Sequence, residues 1–335
     1  PHSAITYLDE YDRLVIVTST QVPFHVRRIV ARLLDVPIRR IRVIKPRIGG
    51  GFGIKQEVIL EPYAAFVTLA TGRAARFVLS REEVFRSTRT RHPMRIDLAA
   101  GVSADGNLET LRMDALMNTG AYGAHALTVL SNAGAKVLPL FNKIENLRFS
   151  GRSVYTNLAV GGAYRGYGAT QGYFALNQHL DIVARRLGVD TPEYCKRLHI
   201  REGETSAVFE ALGEGKEGVA QIIDSCGLSA CIDRGADAIG WKEKRGRRLR
   251  GSHPRAVRGV GMAVSMQGSG IPKIDMGAAA MKMNEDGSFN LYVGATDLGT
   301  GSDTVLAQIA AETLRTSVDH IIVLSSDNDR TRFHV

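Results

Sequence analysis

A chain of 335 residues is longer than one hydrophobic core usually serves, so two domains or one elongated domain are expected. Its 44% hydrophobic and 23% charged residues are ordinary for a globular protein, and no apolar run approaches the roughly 18 residues that span a bilayer. The formal charge of +9 would suit nucleic acid if it were focused, but the densest basic stretch, residues 242–250, lacks interleaved aromatics. It reads as a solvated linker or a subunit contact, and a phosphate-bearing cofactor would also use the excess charge.

In chain order, Leu14-Val15-Ile16-Val17 reads as a buried strand ending in Thr18-Ser19-Thr20-Gln21. A helix is predicted from Pro23 with Val26, Ile29, Val30, Leu33 and Leu34 on one face, and Val36-Pro37 stops it. A strand at 41–44 enters a first glycine loop, Gly49-Gly50-Gly51-Phe52-Gly53-Ile54-Lys55-Gln56, and residues 57–70 read as helix. Strands follow at 77–79, 95–100 and 108–117, with Asp105-Gly106 marking a hairpin turn.

A second glycine loop, residues 161–171, carries Arg165 between Tyr164 and Tyr167 and runs into a helix with Phe174, Leu176, Leu180, Val183 and Leu187 near helical spacing. Glycines let main chain approach a ligand, and Arg165 offers a fork of donors to an oxyanion. Residues 219–241 read as helix and 242–252 as a basic loop. A further hairpin, strands 279–283 and 289–293 around Asp286-Gly287, delivers Asp297-Leu298-Gly299-Thr300-Gly301 to a helix at 302–314, and a strand at 321–324 closes the series. Each hairpin hands its chain to a glycine-bearing loop. That recurrence predicts two lobes presenting loops to a common ligand, at residues 1–205 and 253–335, joined by a helical and basic linker at 206–252.

Some chemistries are disfavoured at once. No GxGxxG frame or GxxxxGK[ST] motif is present, so nucleotide sites of those kinds lack support. Cys195, Cys226 and Cys231 form no CxxC pair and fall short of the about four thiolates of an iron–sulfur centre, so they read as buried or half-buried thiols. The chain starts Pro1-His2-Ser3 with no signal or lipidation pattern, and a cytoplasmic enzyme is the expectation.

Taken together, the motifs Ser19-Thr20-Gln21, Gly49-Gly50-Gly51-Phe52-Gly53, Ala163-Tyr164-Arg165-Gly166-Tyr167-Gly168 and Asp297-Leu298-Gly299-Thr300-Gly301 stand in an order that resembles the molybdopterin-binding large subunit of the molybdenum hydroxylases, the xanthine dehydrogenase and aldehyde oxidase family. The flavour leans toward bacterial 4-hydroxybenzoyl-CoA reductase and nicotinate dehydrogenase subunits. The resemblance implies an α+β, elongated two-lobed fold of mixed sheets flanked by helices, with the second lobe incomplete, as in a fragment or split subunit. It implies a molybdenum–molybdopterin cofactor, in its cytosine dinucleotide form as one option, with iron–sulfur and FAD groups on partner chains. The remaining molybdopterin-binding segment is a further partner, and neither nucleic acid nor a membrane span is expected.

Residue by residue, Gln21 matches an amide that donates to the apical oxo group, and Gly51, Phe52 and Gly53 match main-chain neighbours of the metal. Ala163, Tyr164 and Arg165 match a segment that holds the pterin and the metal ligands. Gly299, Thr300 and Gly301 match a third cofactor loop, with Thr300 where many relatives have glutamine. Gln56 and Tyr167 fall on the substrate side, and no residue is a direct metal ligand. Gln56 replaces a glutamate of the purine enzymes and Ala133 an arginine, which argues against xanthine; Gly166 replaces a cysteine of the carbon monoxide enzymes. The family's catalytic glutamate falls beyond the end of this sequence, so no catalytic residue is assigned. The function implied is a molybdenum hydroxylase-type oxidoreductase acting on an aromatic, N-heterocyclic, aldehyde or aromatic acyl-CoA substrate. The alternative is a non-catalytic cofactor cradle or assembly remnant.

Overall fold

The computed structural model describes residues 1–213, 217–247, 249–250, 253, 255–268, 276–331 and 333. These pack into two compact units that are not contiguous in sequence. One comprises Pro1–Arg91, Gly162–Arg165 and the described part of Gly270–Val335; the other comprises His92–Gly161 and the described part of Gly166–Ser269. A division at 205 and 252 therefore follows the order of the motifs and not these units.

The first unit begins with β1 (Ser3–Leu8) and β2 (Leu14–Thr18), an antiparallel pair. The turn between them is closed by the Asp9 carboxylate, which accepts from Tyr11 N and Arg13 N. Helix α1 (Pro23–Leu33) then returns the chain to β3 (Ile41–Ile44), parallel to β2. Val26 and Val30, four residues apart, pack with Leu14, Ile16, Ile41 and Val43. Ile29 and Leu33, expected on the same face, are instead 40% and 62% exposed, because a sheet touching one side of α1 leaves the flanking positions in solvent.

The helix expected over 57–70 starts only at α2 (Glu61–Thr71). Pro62 fits the first helical turn and no later position. The Glu61 carboxylate accepts from Ile59 N, Leu60 N and Thr18 Oγ1, which holds the residues before it in a turn. Strand β4 (Ala75–Val78) pairs with β1, giving the order β3-β2-β1-β4. Helix α3 (Arg81–Ser87) starts with a reciprocal cap between Ser80 and Glu83.

In the second unit β5 (Met94–Val102) and β6 (Leu108–Gly120) form the expected hairpin. Helix α4 (Ala126–Ala135) leads to β7 (Asn146–Tyr155), parallel to β6. Helix α5 (Ala169–Leu187) packs on α4, where a Cβ at Gly172 would run into the Ala133 carbonyl. Helices α6 (Thr191–Leu198), α7 (Val208–Ala211), α8 (Leu228–Ile239) and α9 (Trp241–Lys244) follow, then the short pair β8 (Leu249–Arg250) and β9 (Val257–Arg258). The core gathers Leu111, Met113, Phe141, Leu176, Leu180 and Tyr194.

The helix expected over 219–241 is confined to α8 and α9. Residues 219–227 spend their main-chain groups elsewhere: Ile223 N donates to Glu204 O at 3.0 Å, and Gly203 N donates to Ile223 O at 2.8 Å. Within the basic loop expected at 242–252, positions 248, 251 and 252 lie outside the described residues. Of the thiols, Cys195 is buried and Cys226 half-buried as expected, whereas Cys231, on α8, is exposed.

The first unit is completed by the hairpin β10 (Ala279–Met283) and β11 (Phe289–Val293), helix α10 (Ser302–Leu314) and β12 (Ile321–Ser325), parallel to β11. Residues 326–328 then run along β3, where Lys45 N donates to Ser326 O, Asn328 N to Val43 O, and Val43 N to Asn328 Oδ1. All three larger sheets thus share one plan: an antiparallel hairpin, a helix, and a third strand parallel to the second. The motif-bearing loops leave the carboxyl ends of strands, where α/β folds place their ligands.

Candidate functional site

The loops leaving β2, β3 and β11 belong to one unit, and so does the short segment Gly162–Arg165. Gln21 follows β2; its N–H donates to Lys55 O at 2.9 Å, and its Oε1 accepts from Gly53 N at 2.8 Å. With the carbonyl end of the amide held, the Nε2 end makes no hydrogen bond to a described residue. A neutral side chain with its N–H groups to spare is suited to an oxo ligand.

The loop after β3 is shaped by backbone that side chains rarely permit. Phe52 lies at φ 54° and Gly53 at φ 82°. A Cβ on Gly51 would lie 2.5 Å from Gln21 Cδ, and one on Gly53 would lie 3.0 Å from Tyr164 N. Glycine is therefore required by crowding at Gly51 and by both crowding and dihedral at Gly53. The contact with the 162–165 segment is direct: Arg165 N donates to Phe52 O at 3.0 Å, and the Arg165 guanidinium lies 5.8 Å from the Phe52 ring centroid. The N–H groups of Gly51, Phe52, Ala163 and Tyr164 donate to no described residue. Four unspent donors in touching loops suit a polyanionic ligand.

The third loop is fixed from within. The Asp297 carboxylate accepts from Gly299 N at 2.7 Å, Gly301 N at 3.3 Å and Asp303 N at 3.2 Å. Chiefly the Gly299 N–H holds this carboxyl below its ordinary value. Those glycine N–H groups are spent on the loop itself, whereas Thr300 is exposed and makes no hydrogen bond to a described residue. Gly50 N donates to Leu298 O at 2.7 Å, which joins this loop to the one after β3.

Two lysines brace the same loops. Lys45 Nζ donates to Asp297 O at 2.5 Å and Lys55 Nζ to Gly50 O at 3.1 Å, and burial lowers the pKa of both. His2 shares a hydrogen bond with Ile54 O at 2.9 Å, and burial lowers its pKa too. Gln56 is exposed, with its N–H donating to Gly53 O at 2.9 Å. Behind the 162–165 segment, Glu57 is ion-paired with Arg89, Thr90 O accepts from Gly162 N at 3.0 Å, and Arg91 Nη2 donates to Arg165 O at 2.6 Å. Sequence reading passed over Arg89, Thr90 and Arg91; the available signal was the spacing of two, which turns Arg89 and Arg91 to the same side of an extended segment.

Tyr167 is in the other unit, where its hydroxyl is hydrogen-bonded to His125 Nδ1 and the two rings meet edge-on, centroids 5.6 Å apart. Both residues are left-handed, at φ 49° and 53°. Ala133 is fully buried, and a Cβ on Gly168 would lie 3.2 Å from Ala133 N.

Gln21, Gly51, Phe52, Gly53, Ala163, Tyr164, Arg165, Gly299, Thr300 and Gly301 thus fall within one unit and on touching loops. Comparison with known proteins identifies the family. Residues 1–197 match one molybdopterin cofactor-binding domain model and residues 234–335 match a second. The chain is 39% identical to the probable hypoxanthine oxidase XdhD of Escherichia coli K12, over 99% of this chain and 34% of that protein. It is 40% identical to the putative xanthine dehydrogenase molybdenum-binding subunit XdhA of the same strain, over 99% of this chain and 43% of that protein. The aldehyde oxidoreductase of Desulfovibrio desulfuricans ATCC 27774 superposes with a TM-score of 0.82 at 25% identity, over 99% of this chain and 36% of that one. The chain spans between a third and a half of the length of these relatives. Its loops, its sheets and both domain matches give the same answer: the chain belongs to the molybdopterin cofactor-binding family of molybdenum-dependent oxidoreductases that includes the xanthine dehydrogenases and aldehyde oxidases.

Proposed function

We propose that this chain forms the cofactor-holding part of a molybdenum hydroxylase that oxidises a planar N-heterocycle, purines included, and passes electrons to iron–sulfur and flavin centres on partner chains. Purines return to the substrate class because relatives at 39% and 40% identity are named for hypoxanthine and xanthine. That weighs against the sequence argument from Gln56 and Ala133. The observation that carries the reading is the Gln21 amide, fixed at its oxygen by Gly53 N and open at its nitrogen. Gln21 would donate to the oxo group. The N–H groups of Gly51, Phe52, Ala163 and Tyr164, with Arg165 and Thr300, would hold the pterin and whatever nucleotide extends it.

The cofactor, when bound, supplies the oxygen and the electron sink of the reaction. The residues of this chain supply donors set in place before the ligand arrives, so little reorganisation is needed when charge develops. Tyr167 and Gln56 are proposed for the substrate side. The general base is proposed to lie in polypeptide beyond the part of the relatives that this chain matches. Among the described residues no helix is long and apolar enough to cross a membrane. A cytoplasmic location is proposed.

Metal and pterin analysis of the protein purified with its partners tests this reading. About one molybdenum and one pterin per chain are expected, together with reduction of an artificial acceptor by hypoxanthine. Arg165→Ala should lower occupancy of both. Protein that carries neither metal nor pterin under any assembly condition would refute the cofactor assignment.

A further inference from the structure

Neither the sequence motifs nor the kinship assigns a part to Arg89-Thr90-Arg91, yet these residues engage the Arg165 loop one after another, inside a single compact unit. Thr90 O accepts from Gly162 N at 3.0 Å. Arg89, ion-paired with Glu57, closes the space over Gly162: a Cβ there would lie 2.5 Å from Glu57 Oε1 and 2.7 Å from Arg89 Cγ. Arg91 takes the far end of the loop. Its Nη2 donates to Arg165 O at 2.6 Å, and its guanidinium lies 4.7 Å from the centroid of the Tyr164 ring. Arg165 N donates in turn to Phe52 O, so the main chain of Arg165 is gripped through both its N–H and its carbonyl. Of the N–H groups in this segment, those of Ala163 and Tyr164, the donors proposed for the ligand, donate to no described residue.

Placing Arg91 here has a cost. Burial works against its charge, and the neighbouring Arg165 adds to that effect. A lysine would supply charge alone; the planar fork both stacks on a ring and reaches a carbonyl.

We propose that Arg91 is a positioning residue: by clamping Arg165 O and lying on Tyr164 it presets the main chain of residues 163–165 for the cofactor. The identity of the ligand rests on the functional reading above; the clamp itself does not. A loop ordered beforehand leaves less freedom to be lost when the ligand binds.

Three variants of the purified protein test it: Arg91→Ala, Arg91→Lys, and Arg86→Ala as a control, since Arg86 is exposed and, among the described residues, its ion pair is with exposed Glu82. The first readout is the rate of trypsin cleavage at the Arg165–Gly166 bond. The second is molybdenum and pterin retained after dilution. Loss of a charge-assisted hydrogen bond at the loop should raise cleavage about tenfold and lower retention by a similar factor in Arg91→Ala. Arg91→Lys should fall between, Arg86→Ala should match wild type, and melting temperature should change little across the set. Wild-type cleavage and retention in Arg91→Ala would overturn the proposal. Should Arg91→Ala fail to fold, a folded Arg91→Lys with an unchanged cleavage rate would do the same. If the wild type itself carries no metal or pterin, the functional reading fails while the trypsin comparison still decides the clamp.

Discussion

Gly53 shows how much one missing side chain can settle. Its N–H sets the Gln21 amide, its φ of 82° lies where L-residues are strained, and its Cα faces the Ala163–Tyr164 peptide with no room for a methyl group. Gly53→Ala should lower stability by about 1–3 kcal/mol in urea unfolding and reduce cofactor occupancy with it. A fully stable variant with normal occupancy would show that the loop can yield. The motif reading singled out Gly53 as a neighbour of the metal, but that its N–H is spent on Gln21 depends on residues 32 positions apart in sequence.

Elements in this fold are held at their ends as much as along their faces. The segment after α6 is a case: Glu204 accepts from Lys143 Nζ, from Asn142 Nδ2 at 2.9 Å and from Arg201 N at 2.9 Å. The Lys143 ammonium above all, then the Asn142 amide, hold its carboxyl down to about 2. The folded-state value lies below the ordinary 4.5, so the stabilisation is complete above about pH 4.5 and is lost as pH falls toward 2. Both side chains are about a third exposed, and screening by solvent keeps the effect small. Acid unfolding of Glu204→Gln, followed by circular dichroism, should therefore depend less on pH within that window than the wild type. An identical profile would mean that the contact does not persist in solution. At this scale the β5–β6 and β10–β11 hairpins, β3 and the body of α5 were legible in turn residues and apolar spacing, since these are local properties, although α5 begins at Ala169, inside the expected loop. Strands β1 and β7 were not, because each becomes a strand through its partners, β2 with β4 and β6 respectively.

On the scale of the whole chain, the first unit is assembled from three separate pieces of sequence. Its late piece is fastened to its early one through Asp327 and Asp329. Arg42 grips Asp327 with both arms, at 3.1 and 2.6 Å, and Arg13 reaches Asp329 at 2.5 Å. Bonding to Asp327 raises the Arg42 pKa. Asp327→Asn should destabilise the protein by about 2 kcal/mol, and pairing it with Arg42→Gln should cost less than the sum of the two single changes. Strict additivity would show that the two side chains act independently. The same fastening runs on to the glycine-bearing loop after β11, because Lys45, next to this pairing, holds Asp297 O.

Sequence alone determined the family and the order of the glycine-bearing loops, because glycine is demanded by local geometry wherever main chain must turn sharply or be approached closely. It also announced the hairpin plan twice over. Only the tertiary structure decided which N–H groups stay open and which are consumed, that Gly162–Arg165 leaves its neighbours in sequence to join the first unit, and that Arg91 lies against it. Those outcomes depend on contacts between residues far apart along the chain, and the spacing of residues within one segment carries no record of what another segment will bring against it.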